Sequence, residues 1–135
     1  MTRLTYEDLT KKVGANPNEP LAPLAEHHGI VYVYALTRDR CAGCQAQKPL
    51  FEKLVHAVDE RHRDKVRFAN IHVSEDRNFQ AKLQDFRRLL KFAAYPTYLI
   101  FIRAEVGVVE IYRGIEPPME EISRNIDIGV ELENR

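Results

Sequence analysis

Apolar and polar positions along the chain follow two periods, and each period marks its own set of elements. Residues 30–36, Ile-Val-Tyr-Val-Tyr-Ala-Leu, form an unbroken apolar, β-branched run that predicts a buried strand. Residues 66–73 predict a second strand. Between the two, Leu50, Phe51, Leu54, Val55 and Val58 recur at helical spacing and predict a helix over residues 44–62 with one buried stripe. Pro49 lies inside that helix, where it removes a backbone hydrogen bond and is expected to kink the axis. Residues 77–93 predict another helix, with Phe79, Leu83, Phe86, Leu90 and Ala93 turned inward. Strands follow at 97–103 and 106–113. Only Ala104-Glu105 separates them, so they must form an antiparallel hairpin. Pro117-Pro118 opens a last helix that buries Met119, Ile122, Ile126 and Val130.

The ends of the chain carry weaker patterns. Residues 5–13 predict a short helix capped by Thr5 with Asp8 three positions on, and Gly14 suits its exit. Three prolines make residues 16–23 a loop, and residues 24–28 read as a helical turn ended by Gly29. The acidic tail, residues 131–135, is expected to fray. The whole reads helix, strand, helix, strand, helix, strand, strand, helix. The first two strands, joined through a helix, should be parallel with a right-handed crossover. This is an α/β protein with a central mixed sheet, a parallel βαβ unit plus an antiparallel ββα unit, and helices on both faces.

Composition narrows the partners. A length of 135 residues supports one domain, divided here into an N-terminal helical extension (1–28) and a core (29–135). Lys+Arg and Asp+Glu are 20 each, so no net field draws nucleic acid or an anionic membrane. No apolar run reaches the roughly 18 residues a membrane span needs. The N-terminus turns acidic at once and has no apolar signal core, so the expected location is the cytoplasm.

The chemistry concentrates in Cys41-Ala42-Gly43-Cys44, which holds both cysteines of the chain. A CxxC between a strand and a helix puts the first sulfur at a helix N-terminus, which is a redox signature. Arg38 and Arg40 add positive charge nearby, and Gly43 leaves the turn unhindered. Zinc would need four ligands. No second CxxC exists, and His27, His28, His56, His62 and His72 show no ligand spacing, so no metal is expected. No Gly-rich dinucleotide fingerprint is present either.

The element order, with CxxC opening the first crossover helix, resembles the thioredoxin-like family over residues 29–135. Pro49 falls where that family has its helix-kinking proline. Tyr95-Pro96-Thr97 precedes the hairpin strand, where the family places a cis-proline, and Gly114 closes the last strand near the active site. The resemblance implies thiol–disulfide exchange on protein substrates, with Cys41 attacking, Cys44 resolving, and the Cys41–Cys44 disulfide in place of any cofactor. It implies a substrate groove that includes Arg40, Ala42, Tyr95, Pro96 and Gly114, with Pro96 also keeping a metal off the sulfurs. Electrons would come from a separate reductase or small thiol, and the protein would act as a monomer.

Three positions depart from that family. Arg40 stands where an aromatic residue usually precedes the first cysteine. Ala35 stands where thioredoxins carry a buried Asp that takes the proton of the second cysteine, and Asn70 replaces the lysine that partners it. Water or His72 is then left as the proton acceptor for Cys44. The alternative to an enzyme is a noncatalytic adaptor domain that holds a partner in the groove beside Tyr95 and Pro96.

Overall fold

A computed structural model describes residues 1–134. Its strands are β1 (Thr2–Thr5), β2 (Val31–Arg38), β3 (Val66–Val73), β4 (Thr97–Ala104) and β5 (Gly107–Ile115), and its helices are α1 (Tyr6–Gly14), α2 (Ala42–His62), α3 (Phe79–Leu90) and α4 (Met119–Glu133). The strands form one sheet in the order β1-β3-β2-β4-β5. β1, β3 and β2 run parallel, and β2–β4 and β4–β5 pair antiparallel.

The unbroken apolar run of β2 follows from its central position. Val31, Val33 and Ala35 face one side of the sheet and meet Phe51, Leu54, Val55 and Val58 of α2 and Ile122, Ile126 and Val130 of α4. Tyr32, Tyr34 and Leu36 face the other side and join Tyr6 and Leu9 of α1 and Phe79, Leu83, Phe86 and Leu90 of α3. With both faces covered, the strand has no polar side to show. Its tyrosines satisfy their hydroxyls at the rim of the core. Tyr34 donates to the Leu24 carbonyl at 2.6 Å, and Tyr32 accepts from the His27 N–H at 2.9 Å.

The N-terminal segment differs from the helical extension expected for residues 1–28. Thr2–Thr5 adds an edge strand parallel to β3, in register Leu4 with Ile71 and Thr5 with His72. Four residues with one half-buried leucine carry no readable period, and only the sheet edge gives them a partner. α1 begins at the predicted cap. The Asp8 N–H donates to Thr5 Oγ1, and the Thr5 N–H donates to Asp8 Oδ2, both at 3.0 Å.

Other details also depart from the pattern. Leu50 is 49% exposed, one position ahead of the stripe that starts at Phe51. α3 ends at Leu90, because Lys91 turns left-handed and caps it. Phe92 therefore takes the interior place, and Ala93 is exposed. The tail does not fray at residue 131. α4 continues through Glu133, whose carboxylate accepts the Gly29 N–H, while Arg135 lies outside the described residues. At the end of α2, Arg61 and His62 both reach Asp127 of α4, at 2.9 and 2.6 Å.

Candidate active site

β2 ends with a left-handed turn at Arg40, and the chain enters α2 at Ala42. Cys41 is the residue before the helix, extended at φ −133° and ψ 102°. Its sulfur occupies the place of an N-terminal cap and accepts the Cys44 N–H at 3.1 Å. Unpaired N–H groups and the positive end of the helix dipole converge there, which favours negative charge on that sulfur. Cys41 and Cys44 are joined in a disulfide, with Cα atoms 5.2 Å apart.

Exposure of the pair runs against expectation. Cys41, the expected attacking sulfur, is only 6% exposed, whereas Cys44 is half-buried. The reason lies behind Cys44. A cavity of about 460 Å³ opens there, with Ala35, Thr37, Asn70, His72 and Tyr98 in its lining. An alanine where a larger acid would stand leaves this space, and Arg3 and Leu4 of β1 close its far side.

The cavity wall carries a polar chain. Asn70 Nδ2 donates to the Ala35 carbonyl at 3.0 Å and to Thr37 Oγ1 at 2.8 Å. Thr37 Oγ1 lies 2.7 Å from His72 Nδ1, and His72 Nε2 lies 2.8 Å from Asp39 Oδ1. Since Asn70 Nδ2 can only donate, the Thr37 proton is free for His72 Nδ1, and a neutral imidazole then keeps its own proton toward Asp39. The Glu75 N–H, donating to Asp39 Oδ2 at 2.7 Å, and then His72 hold the Asp39 carboxyl below the usual aspartate value. A carboxylate depressed in the folded state contributes stability above its ordinary pKa and loses it as pH falls through the folded value. Asp39→Asn should therefore lower the urea midpoint at neutral pH and converge with wild type in acid. Parallel curves of midpoint against pH would contradict this.

The other wall of the site comes from the loops before β4 and after β5. The Tyr95–Pro96 peptide bond is cis, and Pro96 is buried. A Cβ on Gly43 would come within 3.2 Å of Pro96 Cδ and would fall on the Glu116 carboxylate, so both residues lie against the CxxC turn. The Tyr95 ring is a core group. Its centroid lies 5.0 Å from Phe92 and 6.0 Å from Phe86, its hydroxyl donates to the Leu83 carbonyl at 2.9 Å, and burial pushes its phenol up. Only its main chain is left for a groove. Arg38 sits 5.8 Å over the Tyr95 ring, and Arg40 pairs with Glu75.

Ala42 is exposed in the first turn of α2. Gly114 pairs with Tyr98, and a side chain there would run into the Tyr112 hydroxyl and Pro117. Pro49 is exposed within α2, where it leaves the Gln45 carbonyl without its helical partner. No group of three or more His, Cys, Asp or Glu side chains able to hold a metal ion occurs among the described residues. Within those residues, no helix is long and apolar enough to cross a membrane. Sequence reasoning missed Thr37 and Asp39, whose partners Asn70 and His72 come from β3 through strand pairing, and Glu116, which only the loop after β5 brings to the site.

No protein-family profile and no curated protein sequence matches the chain. Solved structures do. Thioredoxin from Fasciola hepatica is 18% identical, with a TM-score of 0.59 over 95% of this chain and 98% of that one. The Trx4 domain of ERdj5 is 19% identical, with a TM-score of 0.64 over 97% and 96%. Thioredoxin f2 from Chlamydomonas reinhardtii is 16% identical, with a TM-score of 0.58 over 96% and 95%. At these identities the likeness establishes the fold. The chain has the thioredoxin fold, with a CxxC disulfide at the N-terminus of α2.

Proposed function

We propose that this protein is a thiol–disulfide oxidoreductase acting on protein disulfides. The observation that carries the reading is the Cys41 sulfur at the N-terminus of α2, held by the Cys44 N–H and within bonding reach of Cys44. In the reduced protein, the Cys41 thiolate attacks a substrate disulfide and forms a mixed disulfide. Cys44 then attacks Cys41, releasing the reduced substrate and restoring the Cys41–Cys44 bond. The substrate pairs as a short extended segment with the main chain at Tyr95–Pro96. The Cys44 proton leaves through the cavity, by water along the Asn70–Thr37–His72 wall. Electrons return from a separate reductase or small thiol, and the proposed setting is the cytoplasm, where such donors keep dithiols reduced.

One observation favours a second reading, a binding module without turnover: the 6% exposure of Cys41. Turnover separates the two. The protein should catalyse the reduction of a protein disulfide by a dithiol reductant, and Cys41→Ser should return the rate to background. Equal rates with and without the protein would remove the enzyme reading and leave the binding module.

A further inference from the structure

The loop that leaves β5 is fixed against the active site at two points. The Glu116 N–H donates to the Pro96 carbonyl at 3.1 Å. Gln47 Nε2 of α2 donates to the Pro117 carbonyl at 3.0 Å. Glu116 itself is left-handed at φ 44°, a conformation uncommon for a residue with a side chain. Together these place the carboxylate directly over Gly43, between the two cysteines in sequence, beside Pro96.

Charged side chains of the neighbouring segments have partners of their own. Arg40 pairs with Glu75, Arg38 covers Tyr95, Arg113 pairs with Glu110, and Glu121 accepts from the Tyr112 hydroxyl. Among the described residues, the Glu116 carboxylate has no hydrogen-bond or ion-pair partner. An unpartnered anion thus sits in the crease between the CxxC turn and Pro96. A segment pairing with the Tyr95–Pro96 main chain must pass this point to reach Cys41.

We propose that Glu116 is a specificity-determining residue that selects disulfides flanked by positive charge and rejects those flanked by negative charge. The inference rests on the exchange activity proposed above. A charge at the edge of a binding groove acts mainly on encounter and on the choice of partner, and salt screens it.

The test is a single turnover of the pre-reduced protein with two small disulfides, cystamine (cationic) and 3,3′-dithiodipropionate (anionic). In each, the Cys41 thiolate breaks the S–S bond and one thiolate leaves. Cys44 then gives up its proton, attacks Cys41 and expels the second. Two electrons pass from the dithiol to the small disulfide, and two thiols are released. The readout is the ratio of the two rates, because any effect of Glu116 on Cys41 itself is common to both substrates and cancels.

At low salt, Glu116→Gln should lower the cystamine-to-dithiodipropionate ratio on the order of tenfold, and Glu116→Lys should lower it further. Wild type should lose much of its preference at high salt. Glu105→Gln, in the turn between β4 and β5 at the far end of the sheet, should leave the ratio unchanged. Active variants with an unaltered ratio would overturn the inference while leaving the exchange activity standing. A wild-type protein whose Cys41–Cys44 dithiol is oxidised by neither compound would instead remove the activity, and the inference with it.

Discussion

Cys44→Ser is expected to stop the reaction halfway and hold its substrate, while Cys41→Ser abolishes it. Both outcomes follow from the positions of the sulfurs. Cys41 occupies the helix N-terminus, where N–H groups and the dipole stabilise a thiolate, and its replacement by a hydroxyl removes the nucleophile. The loss should be at least about a hundredfold in the rate of disulfide reduction. Cys44 has no part in the first attack. Without it, the mixed disulfide on Cys41 has no neighbouring thiol to resolve it. Non-reducing electrophoresis and mass spectrometry of Cys44→Ser should therefore show a covalent adduct with a protein disulfide substrate, and the same experiment with Cys41→Ser should show none. Adducts on Cys44 in the Cys41→Ser protein, at comparable yield, would reverse the assignment.

Phe86→Ala should produce the largest loss of stability of any single change near the site. Phe86 is 0% exposed, and its ring lies 5.5 Å from Tyr6, 5.1 Å from Phe92 and 6.0 Å from Tyr95. Truncation removes the buried ring and leaves a cavity that the surrounding rings cannot close, a cost of about 3–5 kcal/mol. Against a total stability of roughly 5–15 kcal/mol, that is a large fraction. For a chain of this size it corresponds to a fall in melting temperature of roughly 10–20 °C. Thermal and urea denaturation of the oxidised protein measure it. Phe86→Leu should recover most of the loss, because it refills most of the volume. The change also reaches the site, since the Tyr95 ring rests on Phe86 and its main chain leads into Pro96. A drop of less than about 1 kcal/mol would show that the α3 side of the core repacks freely.

Much of this arrangement is legible in the sequence. β2 is a central strand covered on both faces, so its apolar run is continuous and cannot be mistaken for a polar-faced edge. The helices bury stripes at regular spacing, and the two-residue gap at Ala104-Glu105 permits only a hairpin. The CxxC pair is a local motif, and local motifs survive in sequence.

What was not legible depends on contacts made elsewhere. β1 is four residues long and exists because β3 offers an open edge. α3 ends three residues before its sequence pattern does because Lys91, a residue with no strong preference for left-handed geometry, provides the cap. The cavity behind Cys44 could be anticipated as a missing acid at Ala35. Its wall could not, because Thr37, Asp39, Asn70 and His72 meet only through the pairing of β2 with β3. Glu116 stands 72 positions beyond Cys44 in an ordinary polar context, and only the loop after β5 brings it over Gly43.

The claim on which the account depends is that the Cys41 sulfur is electrostatically prepared for attack. Alkylation of the reduced protein across a pH series, with each cysteine quantified separately by mass spectrometry, tests it most directly. The account predicts that Cys41 reacts with an apparent pKa well under the value of about 8.5 for a free thiol, and faster than Cys44 at neutral pH. A Cys41 that titrates like an unperturbed thiol, fails to react, or is outpaced by Cys44 would contradict it.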